Sequence, residues 1–337
     1  MKNLLNEMYP DGIRVVSCFG GMEGLLIALT NQGVKIKSYK SFEIDKYAIA
    51  LSSMNFPNIE HMGDIMDANV DDIGECDLMV LGSPCQGFSN SGKKLGLDDE
   101  RSGLLIPALE LMRKVNPTYW IFENVRMKTE WLELLDTIIG VKHVEIDASL
   151  VSAQSRKRCF WANFNITQPK DKGIMLKDII EPNVDSGIVF KVGAYKGLTT
   201  VEKDNVVLRV PEATKKGYTD IENGDCFDYT FPNSKTRRGR NMKHKSNCLE
   251  TKPSFMVYQH PTVRKLTVIE AERLQGCEGW TIGDGTISNT QRLKLLGNGF
   301  CVPVIEHILC HIGNECPPRV YNVNQPEENL CHIINHY

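Results

Sequence analysis

The feature that most constrains this chain is a recurrence between residues 13 and 163. Short apolar runs each close on a glycine or a chemically active side chain, and a helical stretch follows most of them. Residues 78–81 (LMVL) show the type. A near-continuous apolar run reads as a strand covered on both faces, as in a parallel sheet, and Gly82 and Pro84 end it abruptly. In open α/β sheets the residues just past such strand ends meet at one edge, where ligands bind. The side chain delivered there by residues 77–91 (DLMVLGSPCQGFSNS) is Cys85. The other reading of that position is a structural cysteine on a turn, and what the remaining strand ends carry decides between them.

Residues 13–18 (IRVVSC) read as the first buried strand, and FGGMEG at 19–24 turns it into a helix over 25–30. Glycines there admit a ligand to the backbone, and the helix start offers unpaired N–H groups. The spacing is not GxGxxG, so an ordinary glycine-rich turn stands as the alternative. A second strand over 39–42 ends in Glu43, ahead of a helix over 46–54. An acid at a second strand end, about 20 residues past the glycine turn, is placed to accept from both hydroxyls of a ribose; otherwise it is a solvated carboxylate. A third strand ends near Gly63-Asp64-Ile65, a second acid suited to an exocyclic adenine amine, with Ile65 against the ring face. Three such features in order favour an adenosine-containing cofactor.

Beyond Cys85 runs a polar loop, residues 86–103, too long for a plain connection and read as a lid, a binding loop or simple surface. A helix over 104–115 leads to a strand over 119–122 that ends in Glu123-Asn124-Val125. Burying a strand-end glutamate beside a cysteine invites a raised carboxyl pKa, and so a proton donor near neutral pH. After a helix over 129–139 and a strand over 143–148, QSRKR at 154–158 enters a strand over 159–163. If that stretch is extended, Gln154, Arg156 and Arg158 share a face.

From Phe164 the alternation stops. Residues 169–259 mix short β-like runs, at 188–190 and 206–208, with polar turns, which predicts a small, mostly β second domain. Net charge of -3 gives no global attraction to nucleic acid, so any such binding must be local. Residues 235–245 (KTRRGRNMKHK) contain no acid and carry Arg237, Arg238 and Arg240 around a glycine. They read as a phosphate-binding footprint or as a solvated charge run. Regular structure returns with a helix over 267–274, capped by Thr267 with Glu270 three residues on, a helix over 291–296, the turn Gly297-Asn298-Gly299-Phe300 and an apolar helix over 302–312. The expected division is a catalytic domain at 1–165, a recognition domain at 166–262 and a return to the catalytic domain at 263–337.

Hydrophobic content of 42% and charged content of 24% are ordinary for a soluble globular chain. Eleven cysteines without paired CxxC spacing argue against a zinc site and against a secreted disulfide framework, and the first residues lack a signal-peptide core. Reduced thiols in a cytoplasm, no metal and no membrane role are expected.

In this order the motifs resemble the DNA cytosine-5 methyltransferases. The resemblance rests on Phe19-x-Gly21, Glu43, Gly63-Asp64-Ile65, Gly82-Ser83-Pro84-Cys85-Gln86, Glu123-Asn124-Val125, Gln154-x-Arg156-x-Arg158, Arg264-x-Leu266-Thr267 with Glu270, Arg273-Leu274-Gln275 and Gly297-Asn298. It covers residues 1–165 and 263–337. It implies a Rossmann-like α/β domain that uses S-adenosylmethionine and yields S-adenosylhomocysteine, joined to a smaller, mostly β target-recognition domain. It implies Cys85 as nucleophile on cytosine carbon 6, Glu123 as proton donor to nitrogen 3, Asn124 as holder of that loop, and Arg158 and Arg156 as cations favouring thiolate. Phe19, Gly21, Glu43, Ile44, Asp64, Ile65, Ser83, Leu104, Asn298 and Phe300 become cofactor-binding residues. Ser89 becomes a DNA contact beside Arg237, Arg238 and Arg240.

Ser17 stands where many members have aspartate and Glu23 where many have glycine, so the methionine end of the pocket is expected to differ. Double-stranded DNA is the expected partner of a monomeric prokaryotic or phage enzyme, with or without a cognate restriction endonuclease. A transfer RNA methyltransferase of the same architecture and a non-catalytic DNA-binding regulator are the competing readings.

Overall fold

A computed structural model describes residues 4–82, 104–184, 186–202, 206–252 and 254–313. The chain divides into two compact units, residues 1–146, 157–169 and 304–337 in one, and 147–156 with 170–303 in the other.

The first unit is built on strands β1 (Ile13–Cys18), β2 (Ile36–Phe42), β3 (Glu60–His61), β4 (Leu78–Gly82), β5 (Tyr119–Val125), β6 (Val144–Asp147) and β7 (Lys157–Ala162). They form one sheet in the order β3-β2-β1-β4-β5-β7-β6. Neighbours from β3 to β5 run parallel, and β7 runs antiparallel to β5. Between and beside the strands lie α1 (Leu4–Met8), α2 (Gly24–Asn31), α3 (Lys46–Asn55), α4 (Val70–Ile73), α5 (Leu105–Val115) and α6 (Thr129–Ile139).

Every residue of the run 78–81 is buried, as a strand covered on both faces must be. Alternate residues of the central strands, among them Val16, Cys18, Met79, Leu81, Phe122 and Trp161, pack with Leu109 and Met112 of α5 and Leu132, Leu135 and Ile138 of α6. Burial of this one-sided layer, at about 25 cal/mol per Å² of apolar surface, fixes which way each strand faces. Helix α3 starts where expected because Asp45 accepts from the Tyr47 N–H at 2.9 Å.

The second unit carries β8 (Val189–Lys191), β9 (Thr199–Glu202), β10 (Val206–Pro211), β11 (Tyr218–Ile221), β12 (Cys226–Asp228), β13 (Phe255–Gln259) and β14 (Thr262–Lys265), with α7 (Val268–Gln275) and α8 (Asn289–Asn298). Helix α9 (Val302–Leu309) spans the boundary between the units. Two antiparallel sheets, β11-β10-β9 and β12-β13-β14-β8, make the expected β-rich body. Its apolar centre includes Leu208, Val210, Ile221, Phe227, Tyr258 and Val263.

The division differs from expectation at 147–156 and, over a longer stretch, at 263–303, which belongs with the β-rich unit. The reason is local. Arg264 on β14 makes a fully buried two-point ion pair with Glu270, at 2.8 and 2.7 Å. Glu270 completes the capping box with Thr267 that starts α7. A buried pair of this kind is costly to separate, so α7 is tied to β14. Helix α7 itself lies where the capping pattern predicted.

Candidate active site

The sheet register assembles the site. Cys18 of β1 stands opposite Phe42 of β2 and Leu81 of β4, and Leu81 stands opposite Phe122 of β5. One position further on, Gly82 stands opposite Glu123, while Phe19 and Glu43 are the first residues past the carboxyl ends of β1 and β2. Strand order reverses between β1 and β4, and such a switch point opens a crevice for a ligand. Cys85 follows Gly82 by three residues in sequence. Cys85, Ser83, Ser89 and the expected loop at 86–103 lie outside the described residues.

The turn after β1 is wound unusually tightly. Phe19, Gly21 and Glu23 all have left-handed φ, at 60°, 57° and 61°. For the phenylalanine and the glutamate this costs of order 1–3 kcal/mol each, and backbone strain of that kind collects at functional sites. Two carboxylates brace it. Glu43 accepts the Gly21 N–H on one oxygen and the N–H groups of Ile44 and Asp45 on the other, all at 2.8 Å. Glu23 lies beneath the turn, 1% exposed, and accepts from the Tyr39 hydroxyl at 2.6 Å and the Ser41 hydroxyl at 2.5 Å, with Ser17 as a third partner. A Cβ on Gly20 would lie 2.1 Å from the Glu23 carboxylate, so the backbone closes directly over it. Burial pushes the Glu23 carboxyl up to about 7, against the opposing hydrogen bonds from Ser41, Tyr39 and Ser17, and Glu43 adds repulsion.

Sequence reasoning marked Glu23 and Ser17 as departures but missed Tyr39 and Ser41. Their alternation on β2 was the available signal. The four side chains form one buried cluster.

The other positions that the resemblance assigns to the cofactor sort by exposure. Phe19 is half-buried against the core layer, and Ile44 is 67% exposed beside Glu43. Asp64 spends one carboxylate oxygen capping the turn at Ile65–Asp67 through the Met66 N–H, at 3.0 Å. Ile65 is buried in the core layer, while Leu104, at the start of α5, is half-buried against it. Acids at two strand ends, an accessible apolar residue and a half-buried ring are the groups an adenosine needs.

Glu123 and Arg158 come together. Because β7 is antiparallel to β5, Arg158 stands opposite Val125, and Val125 shares a face with Glu123 two residues away. Arg158 Nε lies 3.0 Å from Glu123 Oε1, with both side chains largely buried. Asn124 is wholly buried, its Oδ1 accepting the Val125 N–H at 2.8 Å. No sequence pattern announced the antiparallel strand that makes this pair.

Arg156 corrects an expectation. Its guanidinium is taken up by backbone carbonyls. Arg156 belongs to the second unit, is 4% exposed, and donates to the carbonyls of Leu249, Gly297 and Gly299 at 3.0 to 3.2 Å. Its charge holds the carboxyl end of α8, where Gly297 and Asn298 are the last helical residues and Gly299 the cap, so the turn expected at 297–300 begins only past the helix. Gln154 is likewise buried, on Leu274 O and Gln275. Gly297 must be glycine, since a Cβ there would lie 2.4 Å from the backbone of Glu250. Asn298 is exposed and Phe300 half-exposed in that unit.

The basic run also sorts itself. Arg240 is 1% exposed and donates to the carbonyls of Asp228, Thr230 and Phe231 at 2.7 to 2.9 Å, so it leaves the phosphate footprint for a structural role. Arg237 pairs with Asp228 and Arg238 donates to Ala213 O, and both remain exposed.

Among the described residues no group of three His, Cys, Asp or Glu is placed to hold a metal, and no helix is long and apolar enough to cross a membrane. Burial pushes the Cys76, Cys159 and Cys226 thiols up to about 12, so these three are inert at neutral pH.

Residues 13–314 match the family model of the C-5 cytosine-specific DNA methylases. The type II methyltransferase M1.ScrFI of Lactococcus lactis subsp. cremoris is 29% identical over 324 residues, covering 88% of this chain and 76% of that protein. The type II methyltransferase M.NlaX of Neisseria lactamica is 26% identical over 314 residues, covering 88% and 94%. Among solved structures, a DNA modification methyltransferase encoded within an E. coli prophage superposes with a TM-score of 0.61 at 19% identity, covering 89% of this chain and 98% of that one. The Dnmt2 methyltransferase of S. pombe gives 0.60 at 18%, covering 88% and 97%. At these identities the structures establish the Rossmann-like methyltransferase fold. With the family model spanning both compact units, the chain belongs to the C-5 cytosine-specific DNA methylase family.

Proposed function

We propose that the chain transfers a methyl group from S-adenosylmethionine to carbon 5 of a cytosine flipped out of a specific duplex DNA sequence, through a covalent Cys85 adduct at carbon 6. The observation that carries this reading is the order of the strands at the sheet edge. It supports the reading because Glu123, paired with Arg158, lies on the strand next to β4, whose sequence runs on to Cys85, while β1 and β2, which end just before Phe19 and Glu43, lie on the other side of β4.

The chemistry asks for these groups. Carbon 5 of cytosine is a poor nucleophile. A Cys85 thiolate that bonds to carbon 6 pushes an electron pair into the ring and makes carbon 5 enamine-like. Glu123 donates a proton to nitrogen 3 as negative charge gathers there, Asn124 keeps its strand end in place, and Arg158 supplies the neighbouring positive charge. S-adenosylmethionine, when bound, supplies the methyl group from its sulfonium and leaves as S-adenosylhomocysteine. A base then takes the carbon 5 proton, the carbon 5–carbon 6 double bond re-forms as the carbon 6–sulfur bond breaks, Cys85 departs as thiolate, and nitrogen 3 returns its proton to Glu123.

Phe19 and Ile65 would take the adenine faces, Asp64 its exocyclic amine and Glu43 the ribose hydroxyls, with Ile44 beside it. Ser83, Leu104, Asn298 and Phe300 would line the rest. A thiol cannot reach carbon 6 inside a stacked duplex, so the base is flipped. Duplex DNA is the partner, a monomer the acting form and a bacterial or phage-infected cytoplasm the setting.

Incubation with tritiated S-adenosylmethionine and unmethylated bacterial DNA, followed by bisulfite mapping, tests the proposal. Label at carbon 5 of cytosine in one sequence context, absent in Cys85→Ser, is expected. Label on transfer RNA and none on DNA would overturn it.

A further inference from the structure

Phe231 combines exposure with an unusual backbone. It is 74% exposed, the most of the large apolar side chains described. A lone exposed apolar residue needs no explanation. This one, however, also holds a left-handed φ of 49°, which a bulky residue adopts only when its surroundings force it. Pro232 narrows its choices further.

The surroundings do force it. Buried Arg240 gathers the carbonyls of Asp228, Thr230 and Phe231. The buried Asp228 carboxylate accepts from the Thr230 N–H at 2.8 Å, its hydroxyl at 2.5 Å and the Arg237 guanidinium. The Phe231 carbonyl also accepts the Ser234 N–H at 2.9 Å, and Ser234 Oγ accepts the N–H groups of Thr236 and Arg237. A braced loop therefore spends its internal bonds on presenting an aromatic ring to solvent.

What the ring meets is told by its flanks. No acid occurs between Asp228 and Glu250, and Lys235, Arg237 and Arg238 are exposed on the same loop. We propose that the 230–239 loop is a DNA-reading element in which Phe231 seats its ring on bases of the duplex while Lys235, Arg237 and Arg238 hold the flanking phosphates. A ring contributes contact with base faces or a thymine methyl that no cation supplies, and cations fix register without reading sequence. The inference rests on the proposed action on duplex DNA.

The test uses the full chain and a duplex carrying the site mapped by bisulfite sequencing, with a scrambled duplex as control. Phe231→Gly removes the ring and suits the left-handed backbone, so its melting temperature should not fall. Its affinity for the specific duplex is expected to drop about ten-fold or more, with the salt dependence unchanged. Phe231→Trp should restore most of the affinity. Wild-type affinity in Phe231→Gly would overturn the inference while leaving methylation of DNA intact. So would a wild-type dimer, free of DNA, that Phe231→Gly converts to monomer, since the ring would then belong to a contact between copies. Failure of the wild type to label DNA would instead strike the function itself.

Discussion

Two arginine–carboxylate pairs, Arg158 with Glu123 at the sheet edge and Arg237 with Asp228 at the start of the loop after β12, look alike on paper. They arise differently. The first is dictated by backbone register: β7 pairs antiparallel with β5, and the pair follows from which residues share a face. The second is sorted by side-chain hydrogen bonds in a loop, where Asp228 and a set of carbonyls decide which arginine turns inward. Regular strands make neighbours predictable, and a loop makes them depend on partners scattered along the chain.

The sheet-edge half of that comparison can be broken most directly at Glu123. Glu123→Gln keeps the shape but can no longer donate a carboxyl proton. Methyl transfer at saturating DNA and cofactor is expected to fall by about 10² to 10⁴-fold, with duplex affinity within a few-fold of wild type. Turnover close to wild type would show that the register brings Glu123 to the edge without giving it a part in the chemistry.

Much of this was legible in the sequence. The apolar runs closed by Phe19-Gly20-Gly21, Glu43, Gly82 and Glu123 predicted strand ends on one sheet edge, and β1, β2, β4 and β5 are parallel neighbours that end at or near those residues. The capping box at Thr267 and Glu270 was equally readable, being local. What could not be read was direction and depth. QSRKR gave no sign that Arg156 would turn to three carbonyls of its own unit while Arg158 reached Glu123. KTRRGR gave none that Arg240 would be buried, because the carbonyls that hold it cluster only once the loop has closed. The Ser17, Tyr39 and Ser41 hydroxyls meet Glu23 only through the pairing of β1 with β2 and the tight turn after β1.

Glu23 sharpens the comparison through pH. Its carboxyl sits at about 7 in the folded protein against an ordinary 4.5, chiefly through burial, so the folded state holds a proton that the unfolded state releases between those values. Its contribution to stability is therefore complete below about 4.5 and is lost as pH rises through 7, a swing on the order of a few kcal/mol. Glu23→Gln cannot titrate. Relative to wild type, its melting temperature should be lower near pH 5, where the amide fits the hydroxyl cluster less well, and should recover toward pH 8. The KM for S-adenosylmethionine should rise more than kcat falls, since the side chain braces the turn from beneath. Parallel stability curves for the two proteins would remove Glu23 as a titrating brace.

The smallest effect separates the arginines of the loop itself. Each exposed cation that neutralises a phosphate releases counterions, so Arg237→Ala with Arg238→Ala should reduce the slope of log affinity against log salt by about 2, with little loss of cofactor affinity. Arg240→Ala should do the reverse. It abandons three buried carbonyls and lowers stability by about 2 to 3 kcal/mol, yet the slope measured on the folded protein stays as in wild type. Asp228 makes the contrast strict, because Arg237 is already paired with it and must share its charge between that carboxylate and a phosphate. If Arg237→Ala alone leaves the slope unchanged while Arg238→Ala lowers it, Arg237 is a brace for Phe231 and only Arg238 meets DNA. If both singles lower it, the loop uses one guanidinium for both purposes. The sheet edge has no equivalent ambiguity, since there the backbone register has already chosen the partner.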